Sequence, residues 1–339
     1  MKSIVINSPK DVRVVEAPIP VPKRGEALLK VLYGGICGSD LGSYRGTFAY
    51  FSYPRRPGHE FSAEIVEVEE NEQGFQKGDH VTCNPYFNCG ACYSCRRGLV
   101  NCCTSNETMG VQREGAFGEY LIMPLERIYS GKGLDPKMLA LIEPFCISYH
   151  GVKRGGVKEG DKVLIVGAGT IGTLALVSAK LFGAQVYLCD IAEEKLAYAQ
   201  KHFRPDGIIN SLEHPLEDAV QEYTGGDGFD VTIEAVGLPS TFQSCIDAAA
   251  FGGRVVLIGV GKKNLDFNFT MIQKKELNLY GSRNALKSDF LELIDLCGTK
   301  GNMNLEKIIT HTYKMEDAPQ AFEDFDSSRG SMLKVMLEF

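Results

Sequence analysis

The sequence predicts an α/β protein of two domains, one β-rich and one built on a doubly wound parallel sheet, and two observations carry that prediction. Residues 1 to about 145 are rich in Gly, Pro and short β-like runs such as Ala27–Tyr33 and Glu60–Val68, the pattern of an irregular all-β domain with much loop. Beyond Gly160, apolar strand candidates alternate with stretches of helical spacing, which specifies a parallel sheet covered on both faces. At 339 residues the chain is long enough to bury two separate cores.

The elements of the second domain follow in order. Lys162–Val166 is a buried strand, followed by glycines and then Ile171, Leu174, Ala175, Leu181 and Phe182 at helical spacing. Gln185–Cys189 is the next strand, with a helix from about Ala192. Ile208-Ile209, Phe229–Ala235, Arg254–Gly259 and Leu277–Gly281 supply four more strands, and helices are expected before Tyr223 and between Pro239 and Phe251. The last stretch loses the alternation and is expected to return to the first domain. The domains are therefore set at 1–147 with 285–339, and at 148–284.

Composition narrows the function. With 44% hydrophobic and 23% charged residues the chain has the balance of a soluble globular protein. A net charge of −7 offers no general attraction to phosphate backbones or anionic lipid, so neither nucleic acid nor membrane is an expected partner. No stretch of about 18 apolar residues is present. Met1–Ile6 reads as a first strand rather than a signal peptide, and the expected compartment is the cytoplasm.

Gly167-Ala168-Gly169-Thr170-Ile171-Gly172 matches the dinucleotide fingerprint G-x-G-x-x-G in its proper setting. It follows an apolar strand and opens a helix, and Asp190 ends the next strand about 20 residues on. Gly167 makes the tight turn, Gly169 lets backbone approach the pyrophosphate, and Gly172 lets helix and strand pack closely. Thr170 and Ile171 open the helix whose free N–H groups face the phosphates. Asp190 would accept from the adenosine ribose hydroxyls and repel a 2′-phosphate, favouring NAD over NADP; FAD is the other cofactor this fingerprint serves. Val236 and Gly259, at the ends of later strands, are further candidate cofactor-binding positions. The sheet is accordingly expected to be a Rossmann fold.

Five of the eleven cysteines lie between Cys89 and Cys103. Cys89-x2-Cys92-x2-Cys95-x7-Cys103 can close a tetrahedral zinc site with no open position, a structural role. Cys102 adjoins the fourth ligand, so spacing leaves the choice between 102 and 103 open. Disulfides and an iron–sulfur cluster are the alternatives, and disulfides suit a chain without a signal poorly. A second set is more dispersed: Cys37, flanked by glycines in Gly35-Ile36-Cys37-Gly38-Ser39-Asp40, then His59-Glu60 after Pro57-Gly58, and Glu143-Pro144. Together they offer a thiolate, an imidazole and two carboxylates, which suits zinc and leaves room for water or substrate.

These motifs, in this order, resemble the zinc-containing medium-chain dehydrogenases over essentially the whole chain. Within the family the sequence looks like the polyol and sugar-acid branch (sorbitol, threonine, galactitol phosphate and galactonate dehydrogenases). The L-galactonate 5-dehydrogenase-like group is suggested by Ser52-Tyr53-Pro54-Arg55, Asn101-Cys102-Cys103, Leu141-Ile142-Glu143-Pro144-Phe145 and Gly281-Ser282-Arg283-Asn284-Ala285. The resemblance implies a GroES-like catalytic domain formed by both chain ends, a Rossmann domain, an active site in the cleft between them, and a homo-oligomer, dimer or tetramer. It implies two Zn²⁺ per chain and NAD. Cys37, His59 and Glu143 would ligate the catalytic zinc, with Glu60 either a direct ligand or bound through the zinc water. Ser39 would begin a proton relay and Asp40 would orient a ring nitrogen of His59. Many relatives carry a histidine where this chain has Gly42, which leaves the proton's exit open. Arg283-Asn284, and Arg55-Arg56 before the Gly-His-Glu, are candidates for holding an acidic, hydroxylated substrate. Threonine, sorbitol and simple alcohols are the alternative substrates, and a nucleotide-binding protein without turnover is the rival of another class.

Overall fold

The computed structural model describes residues 1–261, 263–301, 303–328 and 330–339. It divides into two compact units, Met1–Glu143 with Leu286–Phe339, and Pro144–Ala285. The first segment closes at Glu143 rather than at residue 147, in the first turn of the helix Ile142–Arg154.

In the first unit a seven-stranded sheet runs in the order Ile309–Lys314, Lys334–Glu338, Glu26–Ile36, Glu60–Val68, His80–Cys83, Ile128–Ser130, with Tyr120–Pro124 also beside Glu26–Ile36. The eleven-residue strand Glu26–Ile36 is the frame of this sheet. One edge pairs antiparallel with Glu60–Val68; the other pairs first with Tyr120–Pro124 and then with Lys334–Glu338. Ala27, Leu29 and Val31 alternate into a core with Phe61, Ala63, Ile65 and Val81, the period-two signature of a sheet with one face buried. The register against Glu60–Val68 shifts twice, between Leu28 and Leu29 and between Val31 and Tyr33, and such bulges re-aim the strand ends. A hairpin, Lys2–Ser8 with Asp11–Glu16, packs Ile4 and Ile6 against Ile36, Leu41, Phe117, Phe322, Val335 and Leu337. The unit is thus closed by residues from both ends of the sequence.

The segment read as irregular all-β, residues 1 to about 145, is β-rich but also holds helices at Gly38–Arg45 and Pro136–Ala140, and the returning C-terminal stretch adds Lys287–Lys300 and Ala318–Ser327. Gly38–Arg45 has no apolar stripe to announce it; its ends specify it instead. Cys37 is extended, and its N–H donates to the Asp40 carboxylate at 2.9 Å, an N-terminal cap. At the other end Gly46 takes φ 74°, and its N–H closes on the carbonyls of Gly42 and Ser43. This short helix carries Ser39 and Asp40.

In the second unit six strands are all parallel, in the order Gly207–Asn210, Gln185–Asp190, Lys162–Val166, Phe229–Glu234, Ala249–Leu257, Asn278–Gly281. Numbered within the unit that is 3-2-1-4-5-6, the doubly wound order. Val163, Leu164 and Ile165 are wholly buried, as a central parallel strand covered on both faces must be. The fifth strand begins earlier than the expected Arg254, because Gly252-Gly253, which reads as a turn, lies in a bulge between the pairings of Ala249 and Arg254. Gly259 therefore falls in the loop beyond that strand. No helix among the described residues is long and apolar enough to cross a membrane.

The cap at Gly46 generates a test. A Cβ there would come within 2.9 Å of Pro9 Cγ in a left-handed backbone, so Gly46→Ala should cost about 1–3 kcal/mol of stability. Thermal unfolding at constant zinc measures it, and an unchanged midpoint would show that the turn relaxes freely.

Candidate metal and dinucleotide sites

The cysteine lobe is the simplest site. A helical turn at Tyr93–Arg96 and a tight turn at Val100–Cys102 fold the loop back on itself. The sulfurs of Cys89, Cys92, Cys95 and Cys103 then lie within 4.8 Å of one another. Cys103 is wholly buried and Cys102 is exposed, so the fold turns the two neighbours in opposite directions. The Cys92 and Cys103 sulfurs are 3.9 Å apart, against roughly 3.8 Å for two thiolates about 2.3 Å from one tetrahedral zinc. All eleven cysteines are free in this structure. Backbone donors point at the sulfurs: Cys92 N–H donates to Cys89 Sγ at 3.3 Å and Cys89 N–H to Cys103 Sγ at 3.2 Å. The N–H groups of Cys95 and Thr104 bring the Cys92 thiol down to about 5. Four thiolates so arranged fit a closed zinc site.

Strand register builds the second metal site. Gly35 pairs opposite Glu60, so the residues just beyond the two strand ends, Cys37 and His59, are brought together. Ligand atoms of Cys37, His59 and Glu60 lie within 4.8 Å of one another. His59 is buried, and its Nδ1 has no hydrogen-bond partner among the described residues, an orphaned atom of the kind a ligand explains. Burial by itself lowers the His59 pKa, but the facing Cys37, Asp40 and Glu143 anions outweigh it and raise it well above the ordinary value. Glu143 enters from the first turn of its helix and stands outside the close set, accepting a hydrogen bond from the Tyr86 hydroxyl. Burial, reinforced by Glu60, pushes its pKa up to about 7 against the pull of His59 and Tyr86. A thiolate, an imidazole and two carboxylates in one buried cluster fit a zinc ion that keeps a position open.

Two members of this cluster escaped the sequence reading. Tyr86 is one. Lys334 is the other: its Nζ donates to both Glu60 oxygens, at 2.8 and 2.5 Å, and to the Ile36 carbonyl at 3.2 Å. Lys334 and Glu60 are both buried. Gly35 supplies the space, since a Cβ there would fall 2.4 Å from Glu60 Oε2. The role expected of Asp40 needs revision. Its buried carboxylate takes the Cys37 N–H and acts on His59 through charge, while the ring Nδ1 stays unpartnered. Ser39 lies half-buried in the same helical turn, and the Gly42 carbonyl accepts from Gly46 and Thr47.

In the second unit the three glycines have different surroundings. Gly167 takes φ 111°, with Val236 Cγ2 2.7 Å from where a Cβ would stand. At Gly172 a Cβ would sit 1.7 Å from the Gly167 carbonyl oxygen, so helix and turn meet with no room for a side chain. At Gly169, the cap of the helix Thr170–Leu181, a Cβ would meet nothing within 4 Å: the space lies open to a ligand. Asp190 ends its strand beside the turn, accepting from Ala168 N–H at 2.7 Å and Ala192 N–H at 2.9 Å. A carboxylate retains further acceptor sites for ribose hydroxyls. Glu234, also missed, is a buried anchor. Its Oε1 accepts from Val236 N–H, Gly237 N–H and Thr241 Oγ1, and its carbonyl accepts from Gly259 N–H. It thereby fixes both loops that carry the candidates Val236 and Gly259.

The arginines separate. Arg55 binds Ser52 Oγ at 2.7 Å and faces Glu114, whose carboxylate also takes the Arg56 N–H, so this pair holds loops together. Arg283 is exposed, just past the strand Asn278–Gly281. It lies at the same carboxyl end of the parallel sheet as Gly167, Asp190 and Gly259, the end where open α/β sheets bind ligands.

Residues 23–132 match the alcohol dehydrogenase GroES-like domain, and residues 170–299 match the zinc-binding dehydrogenase domain. The chain is 34% identical to L-galactonate-5-dehydrogenase of Escherichia coli K12, over 100% of this chain and 99% of that one. It is 32% identical to a sorbitol dehydrogenase of Halalkalibacterium halodurans, over 96% and 94%. An alcohol dehydrogenase of Escherichia coli CFT073, solved with the cofactor NADH, superimposes with a TM-score of 0.92 at 33% identity, covering 100% and 99% of the two chains.

Metal analysis should find two zinc ions per chain of unequal lability. A mild chelator should abolish turnover while circular dichroism still reports a folded chain, and fully active protein with one ion or none would contradict both sites. Asp190→Ala should weaken NAD binding by about 1.5–3 kcal/mol and relax discrimination against NADP. Titration with each cofactor decides this, and a wild type preferring NADP would overturn the reading of Asp190.

Proposed function

This chain belongs to the zinc-binding alcohol dehydrogenase family, and from that premise we propose that it oxidises a secondary hydroxyl of a sugar acid or polyol, a hexonate such as L-galactonate foremost, passing the hydride to NAD. The observation that carries this reading is the end-to-end similarity to L-galactonate-5-dehydrogenase. The exposed Arg283, followed by Asn284 at the carboxyl end of the sheet, supports it, since arginine clamps a carboxylate and asparagine reads a hydroxyl. The similarity to a sorbitol dehydrogenase supports a neutral polyol as the second reading. We further infer a small-molecule oxidoreductase of the cytoplasm, working as a homo-oligomer, dimer or tetramer.

Cys37, His59 and Glu143 would hold the catalytic zinc, with Cys89, Cys92, Cys95 and Cys103 holding the structural one. When bound, the catalytic ion lowers the pKa of a substrate hydroxyl and, in reverse, polarises a ketone. Ser39, two residues beyond Cys37, takes the hydroxyl proton. With glycine at position 42 that proton leaves by water, the cofactor ribose or another side chain. Cys37 carries negative charge to the reacting centre, while Lys334 compensates Glu60. Gly167, Gly169, Thr170, Ile171 and Gly172 receive the pyrophosphate at a helix N-terminus, and Asp190 receives the ribose. Val236 and Gly259, set by Glu234, line the path of the nicotinamide half.

A substrate panel of hexonates, sorbitol, threonine and ethanol, followed by NADH absorbance, tests the reading. Arg283→Ala should reduce kcat/KM on an acid substrate 10-fold or more, about 1.4 kcal/mol, and do little to a neutral polyol of equal length. A wild type that handles sorbitol better than every hexonate would sink the sugar-acid assignment and leave the zinc and NAD sites standing.

A further inference from the structure

We propose that a recess beside the hairpin Lys2–Ser8 with Asp11–Glu16 is an additional small-molecule site, one that takes a carboxylate monoanion with an aliphatic body on the guanidinium of Arg56. The cavity has a volume of about 320 Å³, at the lower end of the roughly 300–1,000 Å³ usual for small-molecule pockets. Its lining includes no member of either metal set and no residue of the dinucleotide turn. The inference therefore stands apart from the choice of substrate.

The alternation of a strand makes the walls. Ile4 and Ile6 enter the core, which turns Ser3 and Val5 to the other face, and Val15 pairs opposite Ser3. Pro18 and Pro20 extend the aliphatic wall and bring no N–H to it. Arg56 reaches into this recess. Its backbone is committed elsewhere, the N–H to Glu114 at 3.0 Å and the carbonyl to Gly115 N–H at 2.7 Å. Its side-chain Nε, by contrast, is buried with no hydrogen-bond partner among the described residues. Burial draws the Arg56 pKa below the usual arginine range against the pull of Glu114. A buried donor left unpaired is costly and calls for a partner.

Gly118 makes the room. A Cβ there would stand 3.1 Å from Arg56 Nη1 and 3.2 Å from Ser3 Oγ, so a cation and a hydroxyl converge on one bare stretch of backbone. Water satisfies such an orphan where roughly two to four polar groups surround it, but the walls here are mostly valine, alanine and proline. A carboxylate with an aliphatic body answers both halves of the recess: its oxygens accept from the guanidinium and the Ser3 hydroxyl, and its body lies against Val5, Val15 and Pro18. Glu114 shares the lining and limits the charge, because a dianion would carry a second negative charge toward that carboxylate.

Methyl-labelled valine spectra of the zinc-loaded full-length chain test this, with hexanoate as the probe. Hexanoate should shift the Val5 and Val15 methyl signals saturably. 1-Hexanol, which keeps the body without the charge, and sulfate, a dianion without the body, should each act at least about 10-fold more weakly. Arg56→Gln should weaken hexanoate binding about 10-fold or more, the worth of a hydrogen bond to a charged group. Val15→Glu places a carboxylate on the wall at an exposed strand position and should abolish binding, which keeps the test open if the Arg56 variant does not fold. Hexanoate shifts that miss Val5 and Val15, hexanol or sulfate binding as tightly as hexanoate, or variants that bind like wild type would each overturn the proposal. The substrate reading is decided separately by the hexonate panel, whichever way this one falls.

Discussion

The antiparallel pairing of Lys334–Glu338 with Glu26–Ile36 is the contact on which the reactive site depends. It joins a late segment of the chain to the strand that ends at Cys37. Val335 and Leu337 pack it into the core of Ile4, Ile36 and Phe117. Lys334 thereby arrives beside a buried carboxylate that shares its surroundings with Cys37, Asp40 and Glu143. An isolated buried carboxylate is costly to keep ionised, and a hydrogen-bonded cation offsets that cost only when the geometry is good. Three directed bonds from one ammonium meet that condition. Sheet register here determines electrostatics.

The second unit solves a different problem with similar means. A dinucleotide needs backbone N–H groups brought close to its phosphates, so the turn must be bare where the ligand approaches and tight where helix meets strand. Gly169 gives the first and Gly172 the second, within four residues. Carboxylates stiffen the surrounding loops: Asp190 grips Ala168 and Ala192, and Glu234 grips Val236, Gly237 and Thr241. Such preorganisation lowers the ordering cost of binding. The Cys37–His59–Glu60 set and the dinucleotide turn both rest on strand ends, whereas the cysteine site is built on a loop.

What could be read from the sequence follows the range of the interactions. The cysteine lobe was legible because its four ligands fall between residues 89 and 103, and the parallel sheet because each strand is a short apolar run punctuated by glycine. Choosing Cys103 over Cys102 required the fold, which buries one and exposes the other. The helix Gly38–Arg45 was missed because its information lies in caps, not in an apolar stripe. Lys334 was invisible for a different reason: it meets Glu60 across 274 residues of chain, and only the register of the last strand selects it among many lysines. Tyr86, 57 residues from Glu143, is the same case at shorter range.

Because the first unit is interrupted by the second, order of synthesis has a consequence. Residues 144–285 form a continuous unit that can fold as soon as it emerges, as domains generally do. Cys37, His59 and Glu60 emerge earlier still, yet their cation follows only after the whole parallel sheet has been made. The last strand to be made therefore closes the first unit and also brings Lys334 to Glu60, one of the earliest residues.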